Sequence, residues 1–164
     1  MSSEHSMDIV VKFDFQEMRN AIDQAKKEIL NRYDLKDSKI EIELAEDAIK
    51  INSETENQMD AIYTVILKKM IGRNLSPKIL EKGKIEPAGG MRFRQEIKLI
   101  KVLDQENAKK ITKIIRDRLP KIKTSIQGET VRTTSKSIDE LQEVIKLLEA
   151  DESLKVPLSF TNYR

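Results

Sequence analysis

An offset of 82 residues lays one stretch of this chain over another without a gap, so that Ile40, Leu44, Ile49, Ile51, Met59 and Ile62 fall on Ile122, Ile126, Val131, Thr133, Leu141 and Val144. Solenoid repeats run to about 20 to 50 residues, so a period this long means an internal duplication of a small domain with its own core. A chain of 164 residues then holds two domains of roughly 80 residues, each with a modest core.

Each copy reads as strand, helix, two strands and helix, closed by a further strand. Asp8 to Phe13 is a short β-rich run, and Asp14 with Glu17 three residues on signals a capped helix start. Met18, Ala21, Ile22, Ala25, Ile29 and Tyr33 follow at helical spacing. Ile40, Ile42 and Leu44 alternate with Lys39, Glu41 and Glu43, as Ile49 and Ile51 do with Lys50 and Asn52. That pattern predicts two half-buried strands joined by a turn near Glu46-Asp47. Capping boxes at Thr55 to Gln58 and Ser137 to Glu140 open the second helix of each copy, and Asp104 starts a helix that Pro120 stops. Met91 to Lys101, fully extended, would span about 36 Å at about 3.3 Å per residue, against a usual strand of about 5–6 residues, and is expected to be shared by both sheets. The βαββαβ order predicts an α+β protein of two tandem ferredoxin-like domains, residues 1–90 and 91–164. Each would be a four-stranded antiparallel sheet with two helices on one face.

With apolar residues turned toward the helices, the period of two assigns the open face of each sheet. In the second copy that face takes Arg92, Arg94 and Lys98, then Lys121, Lys123, Ser125 and Gln127, then Arg132 and Thr134. In the first it takes Glu41, Glu43, Lys50 and Asn52. One sheet reads as acidic and the other as basic. The charge along the chain agrees: residues 92–136 carry 13 Lys+Arg against 5 Asp+Glu, whereas residues 1–91 carry 14 against 17 and residues 137–164 carry 3 against 6. Convergent cations among hydroxyl and amide groups suit phosphate contacts and hydrogen bonds to a base. The competing reading is that the charges solvate an exposed sheet and guard its edges.

Several chemistries are disfavoured. The chain has no cysteine, hence no disulfide and no Cys-based zinc site, which fits a reducing cytoplasm. Its single histidine, His5, lies in the leader Met1 to Ser6, expected to be frayed, so neither a Cys/His pair nor a Ser/His/Asp triad can be assembled. No metal-ligand spacing appears, and neither catalytic residues nor a cofactor are expected. Gln127-Gly128-Glu129 reads as a hairpin turn rather than a phosphate loop. No apolar run approaches the roughly 18 residues of a spanning helix, so no membrane partner is expected. The middle strands Ile49 to Asn52 and Val131 to Thr134 carry no aromatic residue, unlike a sheet that stacks RNA bases.

Ser6-Met-Asp-Ile-Val10, Ala21-Ile-Asp-Gln-Ala25 with Asn31-Arg-Tyr-Asp-Leu35, Ile126-Gln-Gly-Glu-Thr-Val-Arg132 through Ser135-Lys136 to Asp139-Glu-Leu-Gln142, and the ending Pro157-Leu-Ser-Phe-Thr-Asn-Tyr-Arg164 together resemble the bacterial YajQ family of nucleotide-binding proteins. The resemblance covers nearly the whole chain. It implies a cytoplasmic protein of two domains resembling RNA-recognition folds, with residues 1–13 exchanged into the second domain. It also implies nucleotide binding, with cyclic di-GMP the ligand of some members and RNA or a nucleoside triphosphate suggested for others. Two positions depart from the family pattern: Met7 stands where Phe is usual, removing a possible stacking ring, and Thr133-Thr-Ser135 stands where Val-Thr-Gly is common.

The expected nucleotide-binding residues are Arg92, Arg94, Lys98, Lys123, Gln127, Arg132, Lys136 and Arg164, with Arg19, Arg32 and Asn162 as secondary candidates. The expected partner is cyclic di-GMP, ATP or GTP, or else RNA. A transcription factor or ribosomal component is the expected downstream contact.

Overall fold

A computed structural model describes residues 4–164. Polar side chains fix where its helices begin. The Asp14 carboxylate accepts from the backbone of Gln16 and Glu17 ahead of α1 (Phe15–Asn31), and Thr55 forms a reciprocal capping box with Gln58 ahead of α2 (Glu56–Gly72). Asp104 accepts from Asn107 N–H ahead of α3 (Gln105–Arg118), and Ser137 from Glu140 N–H ahead of α4 (Ile138–Ala150). Such caps satisfy N–H groups that the first turn of a helix cannot. Helix α1 stops at Asn31, so Tyr33, which continues its apolar spacing, lies beyond it and is 90% exposed.

The strands are β1 (His5–Val11), β2 (Glu41–Leu44), β3 (Ala48–Ser53), β4 (Leu80–Lys82), β5 (Glu86–Ala88), β6 (Arg92–Leu99), β7 (Lys123–Gln127), β8 (Thr130–Ser135) and β9 (Leu158–Thr161). They form two antiparallel sheets. One has the order β7-β8-β1-β9; the other runs β2-β3-β6-β4, with β5 also paired to β6. Together with the helices these make two ferredoxin-like units. His5 and Ser6, expected in a frayed leader, instead open β1 opposite Ser135 and Thr134; Met1 to Ser3 lie outside the described residues.

One unit is Phe13–Ile100, and the other combines the residues up to Lys12 with Lys101–Arg164. The boundary therefore falls after Ile100 and not at 90/91. Strand β6 pairs only with β3, β4 and β5, so the segment 91–101 is not shared between sheets. Its slot explains why: Phe93, Ile97 and Leu99 face the first unit's core, where Ile97 and Leu99 pack with Ile49, Ile51, Met59 and Ile66. Strand β1, although it precedes α1, pairs with β8 and β9. Met7 and Ile9 are fully buried there, across from Thr133 and Val131. Burying side chains of this size contributes about 1.5–3 kcal/mol each, which gives either strand a strong preference for a central slot. The slots correspond: Asp8 faces Arg132 as Glu96 faces Lys50, 82 residues earlier.

The 82-residue offset recurs in the elements: β2 and β7 begin at Glu41 and Lys123, β3 and β8 at Ala48 and Thr130, α2 and α4 at Glu56 and Ile138. The charge partition does not survive the assignment of strands to units. Phe13–Ile100 holds 16 Lys+Arg and 16 Asp+Glu, leaving 14 of 30 and 12 of 28 for the other unit. The basic segment is divided between the sheets.

Two local devices complete the strands. Strands β4 and β5 are one edge interrupted at Gly83, whose N–H donates to Glu96 O at 2.9 Å and whose carbonyl accepts from Gln95 Nε2 at 2.9 Å. A Cβ on Gly83 would lie 2.6 Å from that Glu96 oxygen, so the close approach demands glycine. At the chain's end, Thr161 pairs with Asp8, but Arg164 exchanges both backbone hydrogen bonds with Ser6. Three steps along one strand match two along the other. This is a β-bulge, turned by Asn162 in the left-handed region at φ 54°.

Candidate functional site

The open face of the sheet containing β1 follows from its register. One row runs Lys123, Thr134, Ser6; the next runs Ser125, Arg132, Asp8, Thr161; the third begins Gln127, Thr130. At its centre the Asp8 carboxylate accepts from Arg132 Nε at 2.9 Å and Nη2 at 3.4 Å, and from Asn162 Nδ2 at 2.9 Å. The Arg132 hydrogen bonds hold the Asp8 carboxyl below its ordinary pKa, helped by Asn162 and the charges of Arg132 and Arg164, while burial opposes them. The same contact raises the Arg132 pKa. Arg132 and Asn162, expected to meet a ligand, are thus engaged with a carboxylate that periodicity alone gave no reason to single out.

Beside this face, the start of β7, the end of β8 and the first turn of α4 border a pocket of about 300 Å³. Lys121, Lys123 and Lys136 line it with Thr134, Ser135, Glu4 and Glu140. Ser135 Oγ donates to Glu140 Oε2 at 3.0 Å and accepts from Ser137 N–H at 3.1 Å, tying the strand end to the helix start. Lys123 Nζ lies 3.6 Å from Glu4 Oε1, both largely exposed. Three ammonium groups stand against the Glu4 and Glu140 carboxylates, and the start of α4 adds the positive end of its dipole, so positive charge is in excess there. Ser135 is one wall of the pocket. Met7 is buried on the opposite, helix-facing side of its strand, so a ring there would not have reached the open face.

Of the expected residues, the fold brings Lys123 and Lys136 to this pocket, with Arg132 in the adjacent row. Gln127 lies exposed at the far end of β7, and Arg164 contributes its backbone to the bulge. Arg92, Arg94 and Lys98 belong to the other unit. There Arg92 Nε donates to Asn52 Oδ1 and its Nη2 to the Lys39 carbonyl, Arg94 pairs with Glu86 at 3.3 Å, and Lys98 stands across from Glu81. Together with Lys50 and Asn52 they turn the face expected to be acidic into a mosaic of alternating charges. Arg19 sits over the Phe15 ring and Arg32 is paired with Asp34 at 2.8 Å, both in that same unit. Lys121 was legible from strand parity; Ser135 and Glu140 were not, because they converge only when β8 and α4 pack. Among the described residues no group of three or more His, Cys, Asp or Glu is placed to hold a metal ion, and no helix is long and apolar enough to cross a membrane.

Two ferredoxin-like units, one bearing a pocket lined by lysines and glutamates at the foot of a helix, define a small α+β protein. The chain belongs to the YajQ-like nucleotide-binding protein family, whose model matches residues 5–164. It is 55% identical over 164 residues to a protein of Trichodesmium erythraeum named nucleotide-binding protein, and the match covers 100% of both chains. Similarly named proteins of Acaryochloris marina and Nostoc punctiforme are 51% and 48% identical, again over 100% of both chains.

Proposed function

We propose that this protein binds a purine nucleotide, with cyclic di-GMP, ATP and GTP as the candidates, and acts as a cytoplasmic effector without catalysing a reaction. The observation that carries the reading is the convergence of Lys121, Lys123 and Lys136 with Thr134 and Ser135 around one pocket at the start of α4. Ammonium groups and hydroxyls hold phosphate oxygens through charge-assisted hydrogen bonds of about 1.5–3 kcal/mol each. The names of the relatives support the ligand class. A single histidine and no cysteine leave few nucleophile–base pairs for the chain to assemble.

A second reading, RNA binding, is favoured by α3, which carries Lys109, Lys110, Lys113, Arg116 and Arg118 against Glu106 and Asp117. Calorimetric titration with cyclic di-GMP, ATP, GTP and a short single-stranded RNA separates the two. A pocket ligand should lose about tenfold or more in affinity in the Lys121→Ala/Lys136→Ala protein, by the loss of about 1.5–3 kcal/mol per contact. It should also show only a mild salt dependence. RNA affinity would instead fall with salt at about 0.7 log units per log unit for each phosphate neutralised. Nucleotide affinity unchanged by the double substitution would remove the site from this pocket.

A further inference from the structure

The same topological place differs sharply between the two units. From α3 to β7 the chain needs only residues 119–122, whereas from α1 to β2 it takes residues 32–40. The longer passage opens a mainly apolar groove of about 310 Å³ between the end of α1 and β2, where Ile29, Leu30, Leu35, Ile40 and Ile42 form the walls and Lys26, Ser38 and Glu41 the polar rest of the lining. Leu30 in that lining remains 68% exposed, and Tyr33, three residues further along the chain, is 90% exposed.

The groove wall is held in place. Gln58 Nε2 donates to Ser38 Oγ at 2.7 Å, Lys39 N–H donates to Glu54 Oε1 at 3.0 Å, and the Lys39 carbonyl accepts from Arg92. Strand β2 is the edge of its sheet, with β3 on one side only. Its other side presents backbone donors and acceptors in the spacing a further strand would satisfy. Ile42 points to the core while Glu41 and Glu43 stand exposed on the opposite face, the outermost charges of its mosaic, with Asn52 and Lys50 across from them on the inner side only.

We propose that the free edge of β2 and the adjoining groove dock an extended segment of a partner protein in which cationic and apolar side chains alternate. A strand added beside β2 places its residues alternately on the two faces of the sheet. Its apolar side chains enter the groove among Ile29, Leu35, Ile40 and Ile42, and its lysines or arginines meet Glu41 and Glu43. Charge selects this occupant over a second copy of β2, which would bring Glu41 and Glu43 against themselves. Edge guarding explains the two glutamates alone; it does not explain a braced apolar groove beside them. The proposal is independent of the nucleotide pocket, which lies in the other unit.

The test is NMR titration of the full chain with a capped seven-residue peptide alternating lysine and valine, and with its glutamate-for-lysine counterpart. Shifts should gather at residues 29–44 for the lysine peptide, with the glutamate peptide at least tenfold weaker. Glu41→Lys/Glu43→Lys should reverse that order. Leu30→Ser/Tyr33→Ser, which alters only exposed side chains, should weaken the lysine peptide severalfold even if the charge-reversed protein does not fold. Shifts confined to other surfaces, equal binding of both peptides to the native chain, or concentration-dependent shifts on β2 without peptide would each overturn the proposal, the last in favour of self-association.

Discussion

Asp8 and Arg132 are 124 positions apart in the chain, and their side chains meet at 2.9 Å. Strand β1 brings the carboxylate to the sheet that β8 brings the cation to, and Glu96 of β6 stands in the corresponding place opposite Lys50. Each central strand thus arrives with an acid for the cation of its neighbour. The Asp8 side chain is 6% exposed and that of Arg132 38%, so the pair is shielded on the acid's side and wet on the cation's.

Replacing Asp8 with Asn should therefore destabilise the unit built on β1. Hydrogen bonds to charged groups contribute about 1.5–3 kcal/mol, and the solvent reaching Arg132 places the loss toward the lower end. The Asp8 carboxyl has a folded-state pKa below its ordinary value of 3.8. Its stabilising contribution is fully present above the unfolded value and is lost as pH falls through the folded one. Urea unfolding from pH 7 to pH 2.5 should show a loss of stability below about pH 4, part of which disappears in Asp8→Asn.

Arg132→Ala should act mainly on stability. It leaves a buried carboxylate with Asn162 as its remaining side-chain partner, a situation costing about 1–3 kcal/mol. A thermal melt beside a nucleotide titration checks this: a lowered Tm with affinity reduced less than in Lys121→Ala/Lys136→Ala is the expected result.

Asn162 offers two separable contributions. Asn162→Gly removes the hydrogen bond to Asp8 but keeps a residue at ease at φ 54°, whereas Asn162→Ala removes the hydrogen bond and also the tolerance of the left-handed region that Asn and Gly share, at about 1–2 kcal/mol more. Denaturant midpoints should rank native, then Gly, then Ala.

Gly83→Ala tests the interrupted edge of the other sheet. The new methyl would meet backbone rather than a movable side chain, at 2.6 Å, so β4 or β5 must shift away from β6. A loss of about 1–3 kcal/mol is expected by equilibrium unfolding. Faster amide exchange should follow at Gly83 and Glu96.

Deleting residues 1–11 should unfold the unit holding α3 and α4, which loses Met7, Ile9 and its central strand, while α1, α2 and β2–β6 stay protected. Hydrogen exchange reads both halves in one experiment.

Local structure was legible where a side chain acts on its own neighbourhood. Asp14, Thr55, Asp104 and Ser137 cap their helices, although the expected box at Ser137 is not closed because Glu140 and the Ser137 N–H both turn to Ser135, and strand parity puts Lys123 and Ser125 outside and Val131 inside. Partner choice was not legible. Alternation tells which face of Arg92–Leu99 is apolar, and says nothing about which core that face enters. Three expected site residues, Arg92, Arg94 and Lys98, were consequently assigned to the wrong sheet. Asp8 gives no signal for the same reason, since its importance comes from its register against Arg132. The pocket was half legible: Lys121 and Lys123 follow from parity, and Ser135 with Glu140 requires tertiary packing.

The placement of β1 also sets a timetable. A ribosome adding about 5–20 residues per second needs roughly 7–30 s to go from Val11 to Leu158 of β9, the last strand to pair with β1. Throughout that interval Met7, Ile9 and Val11 are made but have no complete native sheet to enter. The unit from Phe13 to Ile100 has all its strands well before then. Synthesis therefore imposes an order in which the middle of the chain matures first and its oldest residues settle last.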